Sequence, residues 1–447
     1  MKRRDCLKLF AGAAAGPLMA PALITPARAA NRYARFAGKT IVVNWPAHPH
    51  YDAAAQFIPE FTKLTGIKVE LDKMQYMRMH DKQLLEMSKP QSDYDAIAML
   101  GMWKTEYVKK GLLAPLEPMM ANADLADPGY DLQDIVPAYL SNIGMVGGPK
   151  GYLPGPGAKL YALPFGTETS IMAYRADILD QYGFAPPQSY AELLAMVGPL
   201  HDKAKIGAVT SRGQSGHQTT HAFLLHLNPL GGRVFDDAWN PAFVSEAGIG
   251  AVDVLRTFVE TGPQGIPSFG FGEMENAFLL GQAAIYIDTI AIIGDVKNPK
   301  KSRVDGKVRY ALHPKGARYS AESGGFGLAI PARSQNAEAA FLFLQWITSR
   351  AQDVAIALGG GVAMRNSTLA NPDVLKKYPE YSVLKEQLKH TDPDWRPIIP
   401  EWGRIDEQIL GVKINEALIG SATSKAALEA CVAPIVDVMK QGGYIKA

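Results

Sequence analysis

Residues Thr40–Leu100 carry the segments TIVVNW (40–45), AAAQFIPEFTKLTG (53–66), IKVEL (67–71), MRMHDKQLLEM (77–87) and YDAIAML (94–100) in that order. The first, third and fifth are short, apolar and rich in β-branched residues, and read as strands. The second places Ala54, Phe57, Ile58, Phe61 and Leu64 at helical spacing, and Gly66 stops it. The fourth reads as a helix from Met77 to Met87. Strand, helix, strand, helix, strand predicts an α/β unit whose parallel sheet is covered on both faces. In such sheets a ligand crevice lies beyond the carboxyl ends of the strands. Trp45 stands at one such end, and Trp103 just beyond another.

Downstream, Gly144–Gly157 is a Gly/Pro-rich loop and reads as the approach to a second lobe. Then comes ALPFGTETSIMAY (162–174), an apolar strand broken at Pro164-Phe165-Gly166 and resumed at Ser170. Pro164 lacks a backbone donor and Gly166 tolerates unusual dihedrals, so the ladder should be interrupted there. Phe165, Glu168 and two threonines thereby sit together, an arrangement suited to a polar ligand at a lobe boundary. A bulged strand with a solvated Glu168 is the competing account. Ser189-x-x-Glu192 is a capping box for a helix over Tyr190–Met196. Strands are predicted at 206–210, 283–288, 308–312 and 325–330. Helices are predicted from about His217, at 245–260 and 273–281, and at 337–348, 405–418 and 425–439.

The chain has 447 residues, which favours two lobes over a single core. Its charge of +2 is carried by residues 1–29, with five bases (Lys2, Arg3, Arg4, Lys8, Arg28) against Asp5; without them the charge is −2. A near-neutral body offers no footprint for nucleic acid. Arg3-Arg4, an Ala/Gly-rich apolar run and Ala27-Arg28-Ala29 resemble a twin-arginine export signal with cleavage near Ala29, although Cys6 stands where a bulky apolar residue is usual. Gly16-Pro17 and Pro21 argue against a membrane span. A soluble periplasmic protein is therefore expected. Cys6 leaves with the signal, and Cys431 remains among Leu428, Val432 and Ile435 as a packed core thiol.

Enzyme signatures are missing. GQSGH around Ser215 is not a nucleophile elbow, and no Gly-rich run ends in Lys-Ser/Thr. His48-x-His50 with Asp52, and His217-x-x-x-His221, each lack a third and fourth ligand nearby, so neither a metal nor a cofactor is expected.

Several stretches, in order, resemble the solute-binding proteins of carbohydrate ABC importers of the maltose-binding-protein type. They are FIPEFTKLTGIKVEL (57–71), YDAIAMLGMWKTEYVKKGLLAPL (94–116), YALPFGTETSIMAYRADIL (161–179), PPQSYAEL (186–193), GQAAIYID (281–288), GGFGLAIPARSQNAEAAFLFLQWITS (324–349), GGGVAMRNSTLANPD (359–373) and the segment from Ile399 to Ala430. Met364 departs from the proline often found before the position of Arg365.

The resemblance implies a two-lobed periplasmic binding protein fold of type II, with a hinge and a central cleft. The N-terminal lobe would hold 38–145 plus about 283–335, and the C-terminal lobe about 146–282 plus 336–447. It implies a monomer that captures a sugar, polyol or oligosaccharide and delivers it to a membrane ABC permease without chemistry. Carbohydrate recognition needs aromatic faces for C–H surfaces and planar polar groups for hydroxyls. Trp45, Trp103, Phe165 and Trp402 fit the aromatic role, with core packing as the competing account. His48, Tyr51, Glu168, Asp288 and Arg365 fit the polar one. An anionic or phosphorylated polyol, with Arg365 and His48 as counter-groups, is an alternative ligand. A cofactor-bearing periplasmic oxidoreductase is an alternative of another class.

Overall fold

The computed structural model describes residues 32–148 and 154–446. The export signal read at residues 1–29 lies outside them. Among the described residues nine strands build two large sheets, beside a small pairing of Met145–Val146 with Lys159–Leu160. The first joins β1 (Thr40–Pro46), β2 (Lys68–Met74), β3 (Ala96–Leu100), β4 (Ala162–Glu168) and, from far downstream, the strand Gly324–Ala329. The second joins β5 (Ser170–Arg175), β6 (Gly207–Thr210), β7 (Ala283–Thr289) and β8 (Val308–Ala311). With Gly324–Ala329 as β9, the orders are β2-β1-β3-β9-β4 and β8-β5-β7-β6.

β1 runs parallel to both β2 and β3, as the opening strand-helix pattern predicts. β9 returns antiparallel to β3 and β4. Every residue of β3 is buried, which is why its sequence is an unbroken apolar run. Only Thr169 separates β4 from β5, so the chain steps between sheets in one residue. It steps back between Ala311 and Gly324.

The predicted helix over residues 54–64 is two helices, Pro49–Ala55 and Ile58–Thr65. Pro59 has no N–H to continue the first, and sits instead in the first turn of the second. Gly66 ends the second at φ 74°. The Ser189 hydroxyl accepts from the Glu192 N–H as expected, but that helix runs on through Pro199 to Ala204. Its stripe of Leu193, Met196, Val197 and Leu200 is buried, and that packing outweighs the proline.

The sheets divide the chain differently from the expected boundaries. β7 and β8 (283–289 and 308–311) pair in the second sheet, and β4 belongs to the first. The helix Ala337–Ile347 packs on the first lobe, where Phe343 meets Trp45 and Phe61 with ring centroids 6.5 and 5.2 Å apart. Cys431 is buried, and burial pushes its thiol up to about 12. Among the described residues no helix is long and apolar enough to cross a membrane.

Candidate functional site

Between the two sheets lies a narrow cavity, part of it open to solvent. The first lobe supplies His48, Tyr76, Leu100, Gly325 and Phe326 to its lining, and the second supplies Arg212, His217, His221 and Phe271. Glu168 and Glu322 come from the two crossings, and Arg396 from the stretch before the last helices. The lobes also meet here: Gln218 donates to the Tyr76 hydroxyl at 2.7 Å, and Thr105 donates to the Ile398 carbonyl at 2.8 Å.

The backbone around Glu168 is set by two glycines. Gly166 has φ 73°, and a Cβ there would lie 2.7 Å from the Tyr51 ring. Opposite it, Gly325 has φ 97°, and a Cβ would lie 2.4 Å from the Gly166 carbonyl oxygen. The β9–β4 register shifts at this point, between Gly325 and Gly327. The interruption is thus a bulge in β4, where Phe165 and Gly166 together stand opposite the single residue Phe326.

His48 caps the helix Pro49–Ala55. Its Nδ1 accepts from the His50 N–H at 3.3 Å, which leaves Nε2 to carry the proton and donate to Glu168 Oε1 at 3.1 Å. Arg212 grips Asp288 with two donors, Nε to Oδ2 at 2.9 Å and Nη2 to Oδ1. Burial opposes the charge on Arg212, but the Asp288 carboxylate outweighs it and holds the guanidinium more firmly protonated. His217 Nδ1 bonds Asp406 Oδ2 at 2.6 Å. Arg396 donates to His221 Nδ1 at 3.1 Å, and its guanidinium lies 4.2 Å from the Trp395 ring centroid. Burial, with Arg212 and Arg396 close by, pushes His221 well below the usual imidazole range. Burial, with Glu168 and Asp288 near, pushes the Glu322 carboxyl well above the usual range.

Of the residues singled out from the sequence, His48 and Glu168 line the cavity, and Asp288 stands behind Arg212. The aromatic candidates lie elsewhere. Trp45 shares a strand face with the buried Ile41 and Val43, and its indole packs on Tyr51, Phe165 and Phe343. Tyr51 is sealed as well, its hydroxyl donating to the Phe165 carbonyl at 2.9 Å. Phe165 faces His50, not the cavity, with ring centroids 4.4 Å apart. Trp103 sits against His80 and Tyr107, and Trp402 is buried outside the lining. Arg365 is a structural brace: Nε and Nη2 donate to the Thr348 carbonyl and Nη1 to that of Asp131. It is fully buried and outside the cavity lining.

Tyr76, Arg212, Phe271, Glu322 and Arg396 carry no motif that would raise them from the sequence. The spacing of His217 and His221 places them as a pair on one helical face. They are indeed brought to the cavity, but with Asp406 and Arg396 as partners. No cluster of three or more His, Cys, Asp or Glu suited to a metal ion occurs among the described residues. His50 turns away, its Nδ1 accepting from the Val362 N–H.

Residues 47–354 match the family model of bacterial extracellular solute-binding proteins. The chain belongs to that family. Its members are binding proteins rather than enzymes, and the two-lobed fold is the one they share. This solute-binding protein is 30% identical over 376 residues to a mannitol-binding protein of Pseudomonas aeruginosa, covering 78% of this chain and 81% of that one. It is 25% identical over 458 residues to a probable amino-acid ABC transporter periplasmic-binding protein of Sinorhizobium fredii, covering 100% of both. Among solved structures, an ABC transporter solute-binding protein of Agrobacterium radiobacter in complex with ribitol superposes with a TM-score of 0.81. Their identity is 26%, and the match covers 91% of this chain and 99% of that one.

Proposed function

We propose that the protein captures a linear polyol of ribitol or mannitol size in the periplasm and hands it to an ABC permease, with no bond made or broken. One observation carries this reading: the cavity is rich in hydrogen-bonding groups yet presents no open aromatic platform. The Phe271 ring is already covered by the His48 imidazole, stacked at 6.1 Å, and by the Arg212 guanidinium at 5.0 Å. Phe326 is held against His48, Tyr51 and Tyr76 at 5.5–6.0 Å. No tryptophan is in the lining. A pyranose gains from stacking its C–H face on a ring, whereas an open-chain polyol needs mainly donors and acceptors along its length. The mannitol- and ribitol-binding relatives support the same class.

A second reading, an amino acid or other anion, has one observation in its favour. Arg396 is buried, and no ion pair joins it to a carboxylate among the described residues. The name of the Sinorhizobium fredii relative points the same way. Against it, Glu168, Glu322, Asp288 and Asp406 crowd the same region. A thermal-shift panel of polyols, pyranoses, maltose, sugar phosphates and amino acids separates the readings, because selective ligands raise the unfolding temperature. Polyols should give the largest shifts. A panel in which only amino acids or phosphates shift the transition would overturn the polyol reading.

Export through the twin-arginine signal at residues 1–29 completes the proposal. N-terminal sequencing of the periplasmic protein should begin just after Ala29. An uncut chain retained in the cytoplasm would contradict it.

A further inference from the structure

Two neighbouring polar atoms in the cavity wall have no hydrogen-bond partner. They are His221 Nε2, on the helix His217–Leu227, and Glu322 Oε2, on the crossing into β9. They stand 3.5 Å apart, and Asp288 Oδ1, already held by Arg212, lies 3.7 Å from His221 Nε2. Both residues are almost wholly buried, 2% and 3% exposed, and both line the cavity. Elsewhere in the site polar groups are spent on one another: His48 on Glu168, Arg212 on Asp288, His217 on Asp406. Leaving two adjacent buried groups unsatisfied is costly, so their occupant should satisfy both.

The chemistry of that occupant follows from the tautomer. Arg396 is a pure donor, so its bond to His221 Nδ1 makes Nδ1 the acceptor. Nε2 then carries the ring proton and must donate. Glu322 Oε2 is an acceptor, as the carbonyl oxygen when the carboxyl proton sits on Oε1 and as a carboxylate oxygen when ionised. A hydroxyl is the small group that accepts through its oxygen and donates through its hydrogen at once. An ammonium has no lone pair to accept with, and an ether or fluorine has no proton to donate.

We infer that His221 and Glu322 form a hydroxyl clamp, in which a single ligand hydroxyl accepts from Nε2–H and donates to Oε2. Arg396 positions the clamp through the imidazole, and its own Nε is likewise without a hydrogen-bond partner. The clamp joins a second-lobe helix to the crossing that leads back to the first lobe, so filling it ties the ligand to both. This inference rests on the polyol reading and names its specificity-determining residues.

Calorimetry with D-mannitol and ribitol on the full mature protein tests it. His221→Asn keeps an acceptor near the Nδ1 position for Arg396 but removes the Nε2 donor. Glu322→Met keeps the length of the side chain and removes the acceptor. Each should weaken the better polyol by about 10- to 100-fold. Because both act on one hydroxyl, the double variant should be no more than roughly threefold worse than the weaker single one. His221→Gln, whose amide nitrogen reaches the Nε2 position, should recover most of the affinity. Should the variants fail to fold, monodeoxy mannitols on the wild type carry the test. Deoxygenation at one position should then cost about 100-fold.

Wild-type binding of a polyol with unchanged affinity in both single variants would overturn the clamp and leave the polyol reading standing. Fully additive losses in the double variant would overturn the shared hydroxyl. A wild type that binds neither polyol overturns the reading beneath both.

Discussion

At the scale of single residues, the decisive difference lies between a residue's position along a strand and the face it takes. Trp45 ends β1 where a crevice is expected. Strand parity nevertheless puts its indole with Ile41 and Val43, under the helix Ala337–Ile347. Parity is legible in the sequence, but the helix that covers that face arrives almost 300 residues later. Trp103 is similar: its ring fills the space against His80 and Tyr107, and its Nε1 has no partner. Trp103→Phe should therefore lower stability by roughly 1–3 kcal/mol through lost packing. Polyol affinity in that variant should stay within about threefold of wild type. A large loss of affinity measured by calorimetry, with stability unchanged, would return Trp103 to the site.

His50 offers a pH test. Burial, with His48 beside it, lowers its imidazole to about 3. Above the usual histidine range both folded and unfolded chains hold it neutral. As pH falls below about 6.5 the unfolded chain takes up a proton that the folded one refuses, and stability drops by about 1.4 kcal/mol per pH unit until near pH 3. His50→Asn keeps an acceptor for the Val362 N–H and removes that proton. Denaturant midpoints of the variant should fall less than those of the wild type between pH 6.5 and 4.5. Parallel curves would contradict the buried, neutral assignment.

At the scale of elements, the regular pieces were legible because their signals are local. The three opening strands, the Gly66 stop and the Ser189 cap each depend on a few neighbouring residues. The bulge beside Gly325 depends on two strands separated by some 150 residues. Pro164-Phe165-Gly166 marks it in the sequence, and the extra residue does lie there, opposite Phe326. Gly325 allows β9 to approach β4 closely beside Glu168. Gly325→Ala would press a Cβ to within 2.7 Å of the Glu168 amide nitrogen at a φ that L-residues avoid. The cost should be roughly 2–4 kcal/mol in urea unfolding, with weaker polyol binding from a displaced Glu168. A variant with wild-type affinity and stability would show that the bulge does not position the carboxylate.

At the scale of the whole molecule, the two lobes and their alternating strands were legible only through likeness to a family, because interleaving leaves no mark in composition. The boundaries drawn from that likeness placed 283–311 on the wrong side of the sheets, since strand pairing there is set by β5 and not by chain order. The cavity's polar wall was mostly illegible for the same reason. Arg212, Glu322 and Arg396 come from three distant segments and meet only when the lobes face each other. Ligand binding would favour this arrangement because only the closed cleft lets both lobes contact one molecule.

The most direct test compares an open chain with a ring of like composition. Calorimetric titration of the mature protein with D-mannitol, ribitol and methyl α-D-mannopyranoside should show the better polyol binding at least about 100-fold more tightly than the pyranoside, since no aromatic platform awaits a ring. A pyranoside that binds as tightly as either polyol, or more so, would contradict the account.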